Sequence, residues 1–274
     1  MHNLIRADIY RIIRGKALYI TLLILLVNAV LTVMALNAFQ HGAITFTMPE
    51  AMPDTMVYEI DRILETPIVN GVTMPQFAAT QMENFIFFLL PVIIVVAGAI
   101  FSHGTVKNDL AWGVSRTKLY LSKLILSSAL AVLLLVSFVV FCTVIAVIIN
   151  GFGGPTPAGH YIELLQIFSA QLVMLLGFVG VGIFLAFTTK RTAAVNGAFI
   201  AFVLVPLLLL TSLAMINTSL ERLLDFELLT NIMSLAHLPS LETREILRAM
   251  GLGVFFLVTS TLGGIALFRR AEIK

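Results

Sequence analysis

Apolar positions along this chain gather into six long runs: 17–38, 83–103, 124–149, 163–188, 193–216 and 249–268. Each is about the 20 residues that an α-helix needs to cross a bilayer. Ahead of the first run the pattern changes. In residues 2–15, Leu4, Ile5, Ile9, Ile12 and Ile13 fall on one half of a helical wheel, and Arg6, Asp8, Arg11 and Arg14 fall on the other. That pattern predicts a basic amphipathic helix lying along a membrane surface. The first run is long for a signal-peptide core, although Val33-Met34-Ala35 would serve as a weak cleavage site, and an uncleaved first span is the expectation.

Two polar insertions interrupt the apolar pattern. Residues 40–81 carry Glu50, Asp54, Glu59, Asp61 and Glu65 against the single basic Arg62. Met56, Ile60, Ile63 and Leu64 recur at helical spacing behind Asp54, which predicts a short amphipathic helix with Asp54 as its N-cap. Asn70-Gly71 marks a turn, and Thr73-Met74-Pro75-Gln76 reads as a capping box with Pro just inside the helix start. Residues 217–247 form the second insertion. Thr218 with Glu221 reads as a capping box, Leu220, Leu223, Leu224 and Leu228 share a face, and Ser240 after Pro239 is placed to cap a second short helix. Within the runs, Pro91 and Pro206 predict kinks. Gly177, Gly180 and Gly182 allow a close helix contact.

Composition agrees with the pattern. Of 274 residues, 59% are hydrophobic and 12% charged, against about a quarter charged in a soluble domain. So much apolar surface requires lipid as its solvent. With both termini inside, thirteen of the 17 basic residues fall in inner segments, and the acidic residues concentrate outside. The positive-inside rule then predicts six spans with two cytoplasmic ends. The expected fold is an all-α polytopic membrane protein, a single transmembrane domain over 1–274. One cysteine, Cys142, excludes an intrachain disulfide and a Cys-cluster metal site.

The segment between the second and third runs departs from a plain topology loop. Gly104-Thr105 ends the run, and Lys107, Asn108 and Asp109 are polar. Leu110, Ala111, the single Trp112 and Val114 then make an apolar patch on chain that should sit in water. Ser115-Arg116 restarts a helix, flanked by Lys118 and Lys123. A basic loop that only sets topology needs no such patch. A segment that docks another protein does.

The same residues, read as GT-x-K-x-x-L-x-x-G-V-S-R-x-K-x-Y-x-x-K, resemble the segment between the second and third membrane helices of permeases of the type-2 ABC exporter family. Gly104, Thr105, Ser115, Arg116 and Lys123 carry the match. The chain departs from that pattern at Ser102-His103, where the family has an acidic residue, and at Gly113, where it often has proline. The resemblance implies that residues 104–119 are a coupling helix seated in a cleft of a separate ATPase subunit, with Leu110, Trp112 and Lys118 also in the contact. It implies that the amphipathic helix, with Arg6, Ile9, Arg11, Ile12 and Arg14, is a membrane-surface helix. The insertion at 217–247 would be a helical hairpin dipping into the outer leaflet.

The chain holds no G-x-x-x-x-G-K-[ST], so it cannot build a phosphate-binding loop of its own. ATP and Mg would sit on the partner ATPase, and this chain would carry no cofactor and no metal. It lacks H-E-x-x-H and G-x-S-x-G, and its five His residues are scattered. No Asp, Glu, Lys or Arg is expected in the middle of a span, which counts against a proton-coupled transporter. Asn28, Gln166, Ser169, Gln171 and Asn196 are the polar residues in or near spans; they read either as interhelical hydrogen bonders or as a polar lining.

Two functions therefore stand. In the first, the chain is the membrane subunit of an ATP-driven exporter in the plasma membrane, the inner membrane of a bacterium. It would pair with a second permease copy or a related permease and with ATPase subunits, and move an amphipathic peptide, drug or lipid-like cargo. Membrane lipid is an expected partner and nucleic acid is not. In the second, it is a non-transporting immunity or sensing protein that binds its ligand at the two external insertions.

Overall fold

The structure, a computed structural model, describes residues 2–41, 69–102, 105–156, 158–216 and 218–271. The described residues are helical throughout their ordered elements and contain no strand. Six helices are long and apolar enough to cross a membrane: Lys16–Gln40, Met82–Phe101, Arg116–Asn150, His160–Thr189, Thr192–Ile216 and Thr243–Arg270. They make a multi-pass membrane protein, and we number them as spans one to six. The helix expected behind Asp54 lies outside the described residues, as do Gly104 and the side chains of the Thr218–Glu221 capping box.

Span four is the hub. It packs against spans two, three, five and six, and span one packs mainly on span three. Glycine makes the central contact close. A Cβ on Gly177 would stand 2.8 Å from the Gly253 carbonyl oxygen, and one on Gly253 would stand 2.8 Å from the Val173 carbonyl oxygen. Spans four and six therefore meet backbone to backbone, as the glycines of run four predict. Gln171 of span four donates to the Ala79 and Ile232 carbonyls at 2.9 and 3.3 Å, an interhelical hydrogen bond of the expected kind. Leu208, Leu209 and Leu213 on span five, and Leu23, Ile24 and Leu31 on span one, point outward. For a chain dissolved in lipid these are the solvent face.

Span two is broken rather than simply kinked. It passes from α-helix through a 3-10 turn at Ile86–Phe88, an α-helical stretch at Leu89–Ile93, and a π-helical stretch at Ile94–Gly98. Pro91 sits between the two irregular stretches. It lacks an N–H, and its ring crowds the carbonyl one turn back, so regular i to i−4 bonding cannot pass through it.

Three local expectations change. The helix Met74–Thr80 is capped by Asn70, whose Oδ1 accepts from the Val72 and Thr73 N–H groups at 2.9 and 3.1 Å. Thr73 makes no capping bond of its own, because Asn70 already holds the turn. In the second insertion, Ser240 ends a 3-10 stretch, Leu235–Ser240, and starts no helix. The chain enters span six directly at Thr243, through a capping box made by Glu242 and Glu245. The expected second short helix is thus the first two turns of span six. The insertion itself comprises a 3-10 stretch Thr218–Phe226, a helix Leu228–Ser234 and that final turn.

Candidate functional site

Most of the candidate residues gather at one end of the bundle, where the N-terminal helix His2–Arg14, the short helix Thr105–Ala111, the start of span three and the end of span six meet. The short helix ends in a Schellman motif. The Gly113 N–H donates to the Leu110 carbonyl at 3.0 Å and the Val114 N–H to the Asp109 carbonyl at 3.2 Å. Gly113 has φ of 79°, a value that proline cannot adopt and other residues adopt with strain. Glycine at this position is therefore required by the turn.

This geometry divides the apolar patch. Leu110 and Val114 pack against the core, and Val106 is buried. Trp112 points the other way and is 87% exposed. Lys107, Asn108 and Lys118 are exposed beside it. The patch that remains in solvent is Ala111 and Trp112 in a polar and basic setting, narrower than the four residues the sequence offers.

The cations next in sequence face inward. Ser115 is the N-cap of span three and accepts from the Lys118 N–H. Arg116 reaches back across the bundle to the end of span six. Its Nη1 donates to the carbonyls of Phe268, Arg269 and Ala271 at 3.0, 2.8 and 2.7 Å. It thereby satisfies carbonyls that a helix end leaves open. The sequence places Arg116 only at a helix restart in the docking segment; the structure makes it a fastener between spans three and six. Thr105 donates to the Ile100 carbonyl and ties the short helix to the end of span two.

Lys123 is the largest departure from the expected pattern. It is 2% exposed, and its ammonium is paired with Asp8 of the N-terminal helix, itself 7% exposed. Arg11 holds the other carboxylate oxygen of Asp8 at 3.2 Å and reaches the Val95 carbonyl, in the π-helical stretch of span two, at 3.5 Å. Asp109 stands nearby, where burial pushes its carboxyl up while Lys123 opposes the shift. The N-terminal helix departs from a simple amphipathic reading at two positions. Asp8 and Ile12 are buried against the protein, whereas Ile9, Tyr10 and Ile13 are exposed. Ile9 and Ile12 do not share a lipid face. Arg6 and Arg14 remain exposed, with Arg14 lying 4.6 Å over the Tyr10 ring.

A buried charge pair at this depth has a geometric reason. Span three has 35 residues, about 52 Å of helix, against a hydrocarbon core of about 30 Å. It overshoots the membrane, and Lys123 lies only about 10 Å from its start. Lys123 is thus a boundary residue sealed by the N-terminal helix.

At the opposite end, Asn150 donates to Asn37 Oδ1 and to the Val69 carbonyl at 3.1 and 2.6 Å, and the His160 ring meets the Val72 carbonyl at 3.0 Å. These bonds tie the ends of spans one, three and four to the turn at 69–72. No His, Cys, Asp and Glu group among the described residues could hold a metal ion. No family model matches the chain, and comparison with curated proteins gives no match.

Proposed function

We propose that this chain is the transmembrane subunit of an ATP-driven exporter of the type-2 ABC kind. It acts as a pair of permease copies with separate ATPase subunits that bind ATP and Mg. The observation that carries this reading is Trp112, 87% exposed in the turn that ends a short helix whose other face is fastened to the bundle. An indole in water loses solvation free energy unless a partner covers it, and a Trp ringed by polar groups is a natural anchor for a protein pocket.

The fastening supplies the transmission. The short helix continues from span two and leads through Ser115 into span three. Arg116 links that start to the end of span six, and Lys123 links it to the N-terminal helix. A push delivered at Trp112 would therefore move spans two, three and six and the N-terminal helix together. In this reading the basic end is cytoplasmic, in the inner membrane of a bacterium, and the 217–247 insertion faces outside. Spans that carry no ionised group near their centres suit an amphipathic peptide, drug or lipid-like cargo.

Purification of the chain from its native membranes tests the reading. An ATPase subunit that copurifies and hydrolyses ATP faster with the chain than without it is the expected result. A chain that purifies alone and leaves such an ATPase unstimulated contradicts it, and directs attention to ligand binding at the external insertions.

A further inference from the structure

The charges around Asp8 do not balance. One carboxylate, that of Asp8, serves two cations, Lys123 and Arg11, and among the described residues no other acid lies within ion-pair distance of either. A positive charge is left over, and Arg11 is where it can be met, because its side chain is 39% exposed while that of Lys123 is 2% exposed. An anion is the complement that this arrangement lacks.

Arg11 also forms one wall of a half-open groove of about 320 Å³. The other walls are largely apolar: Ile12, Ala17, Ile94, Val95 and Ala99. The groove runs between the N-terminal helix with the start of span one and the π-helical stretch of span two, close to the start of span five. A regular helix would present its carbonyls along its own axis. Here the Val95 carbonyl, in the π-helical stretch, accepts from Arg11 at 3.5 Å, and both residues line the groove. A small inorganic anion would neutralise Arg11 and leave the apolar walls uncovered. A neutral lipid would cover the walls and leave the charge. One ligand class answers both.

We infer that this groove binds an anionic phospholipid of the leaflet at the basic end, with its phosphate on Arg11 and the start of an acyl chain against Ile12, Ala17, Ile94, Val95 and Ala99. The exposed Arg14 and Lys16 next to the mouth raise the local concentration of anionic headgroups without contacting the bound one. The site needs only the six spans and the described packing, and stands or falls apart from any ATPase partner. Its occupant would brace the N-terminal helix against span two, at the point where the chain's own acids are one short.

The test is thermal unfolding of the full chain in dodecyl maltoside, titrated with phosphatidylglycerol, phosphatidylcholine or glycerol 3-phosphate. Phosphatidylglycerol is expected to raise the Tm saturably, and the other two to leave it unchanged. Ala99→Leu fills the groove and keeps every charge; Arg11→Gln removes the charge and keeps the groove. Each is expected to need about tenfold more phosphatidylglycerol, the loss of roughly one good charge-assisted contact. Arg14→Gln is expected to titrate like the parent. Ala17→Leu, on the facing wall, replaces Ala99→Leu if the latter does not fold. Parent-like titration of the groove-filling variant overturns the proposal, because the lipid would then bind the basic surface only. Saturation by glycerol 3-phosphate also overturns it, and so does an equal response of the parent to the two lipids, a comparison that requires no variant to fold.

Discussion

Removing Asp8 is the sharpest perturbation of this structure. Asp8→Ala strips the counter-charge from an ammonium that is 2% exposed, with Arg11 left beside it as a second cation. Breaking a buried ion pair from one side costs about 3–5 kcal/mol, because the remaining charge stays desolvated. The reverse change is milder. Lys123→Met leaves Asp8 with Arg11 at 3.2 Å and puts an apolar chain of similar length in the buried position, so its cost is about 1–2 kcal/mol. In the double variant the buried ammonium is gone, and the cation left without its carboxylate, Arg11, is 39% exposed, so much of the loss should return. The three variants form a cycle with an interaction energy of about 2 kcal/mol or more. Reversible unfolding in mixed detergent–SDS micelles measures each arm. If the two single changes cost the same and add to within about 0.5 kcal/mol, water reaches Lys123 and the pair seals nothing.

Arg116→Ala is expected to cost about 1–3 kcal/mol in the same assay and to expose the chain after Phe268 to proteolysis, since three carbonyls lose one shared donor. Gly177→Val is expected to destabilise by about 1–3 kcal/mol or to fail to insert stably, because its Cβ would meet the Gly253 backbone, which cannot yield as a side chain does. In a Cys142→Ala background, cysteines at Gly154 and Arg244 are expected to react with an impermeant maleimide on intact cells, and one at Arg191 only after permeabilisation. Reaction at Arg191 in intact cells would reverse the proposed orientation.

The spans were legible because lipid as solvent leaves a coarse signal: a run of about 20 apolar residues means one thing, whatever its partners. The end of each run was less so. Span three starts eight residues before its apolar run, at Arg116, since its N-cap Ser115 and the overshoot beyond the bilayer belong to polar sequence. Span six starts at Thr243 because a glutamate pair caps it, where Ser240 carries the more usual capping side chain. At the candidate site, Ser115, Thr105 and the exposure of Trp112 follow from local sequence. The pairing of Asp8 with Lys123 does not, as 115 residues separate them and each alone looks like an ordinary surface charge. The one available hint was Lys123 itself, which follows the apolar Leu119, Tyr120 and Leu121 at positions where a topology signal would sit one turn earlier. The role of Arg116 was hidden for the same reason, since its acceptors are backbone carbonyls at the far end of the chain.

The central claim is that Trp112 is the anchor on which an ATPase subunit docks. A buried Trp covers about 150–250 Å², and truncating such an anchor costs at least about 2 kcal/mol, some thirtyfold in affinity. The direct measurement is the amount of ATPase subunit retained by Trp112→Ala and by Lys118→Ala, each compared with the parent at equal permease level in the same membranes. The account predicts that Trp112→Ala loses most of the bound ATPase and its stimulation, that Lys118→Ala loses less, and that neither lowers the permease level, because neither side chain supports the bundle. Full retention and full stimulation with Trp112→Ala would contradict it.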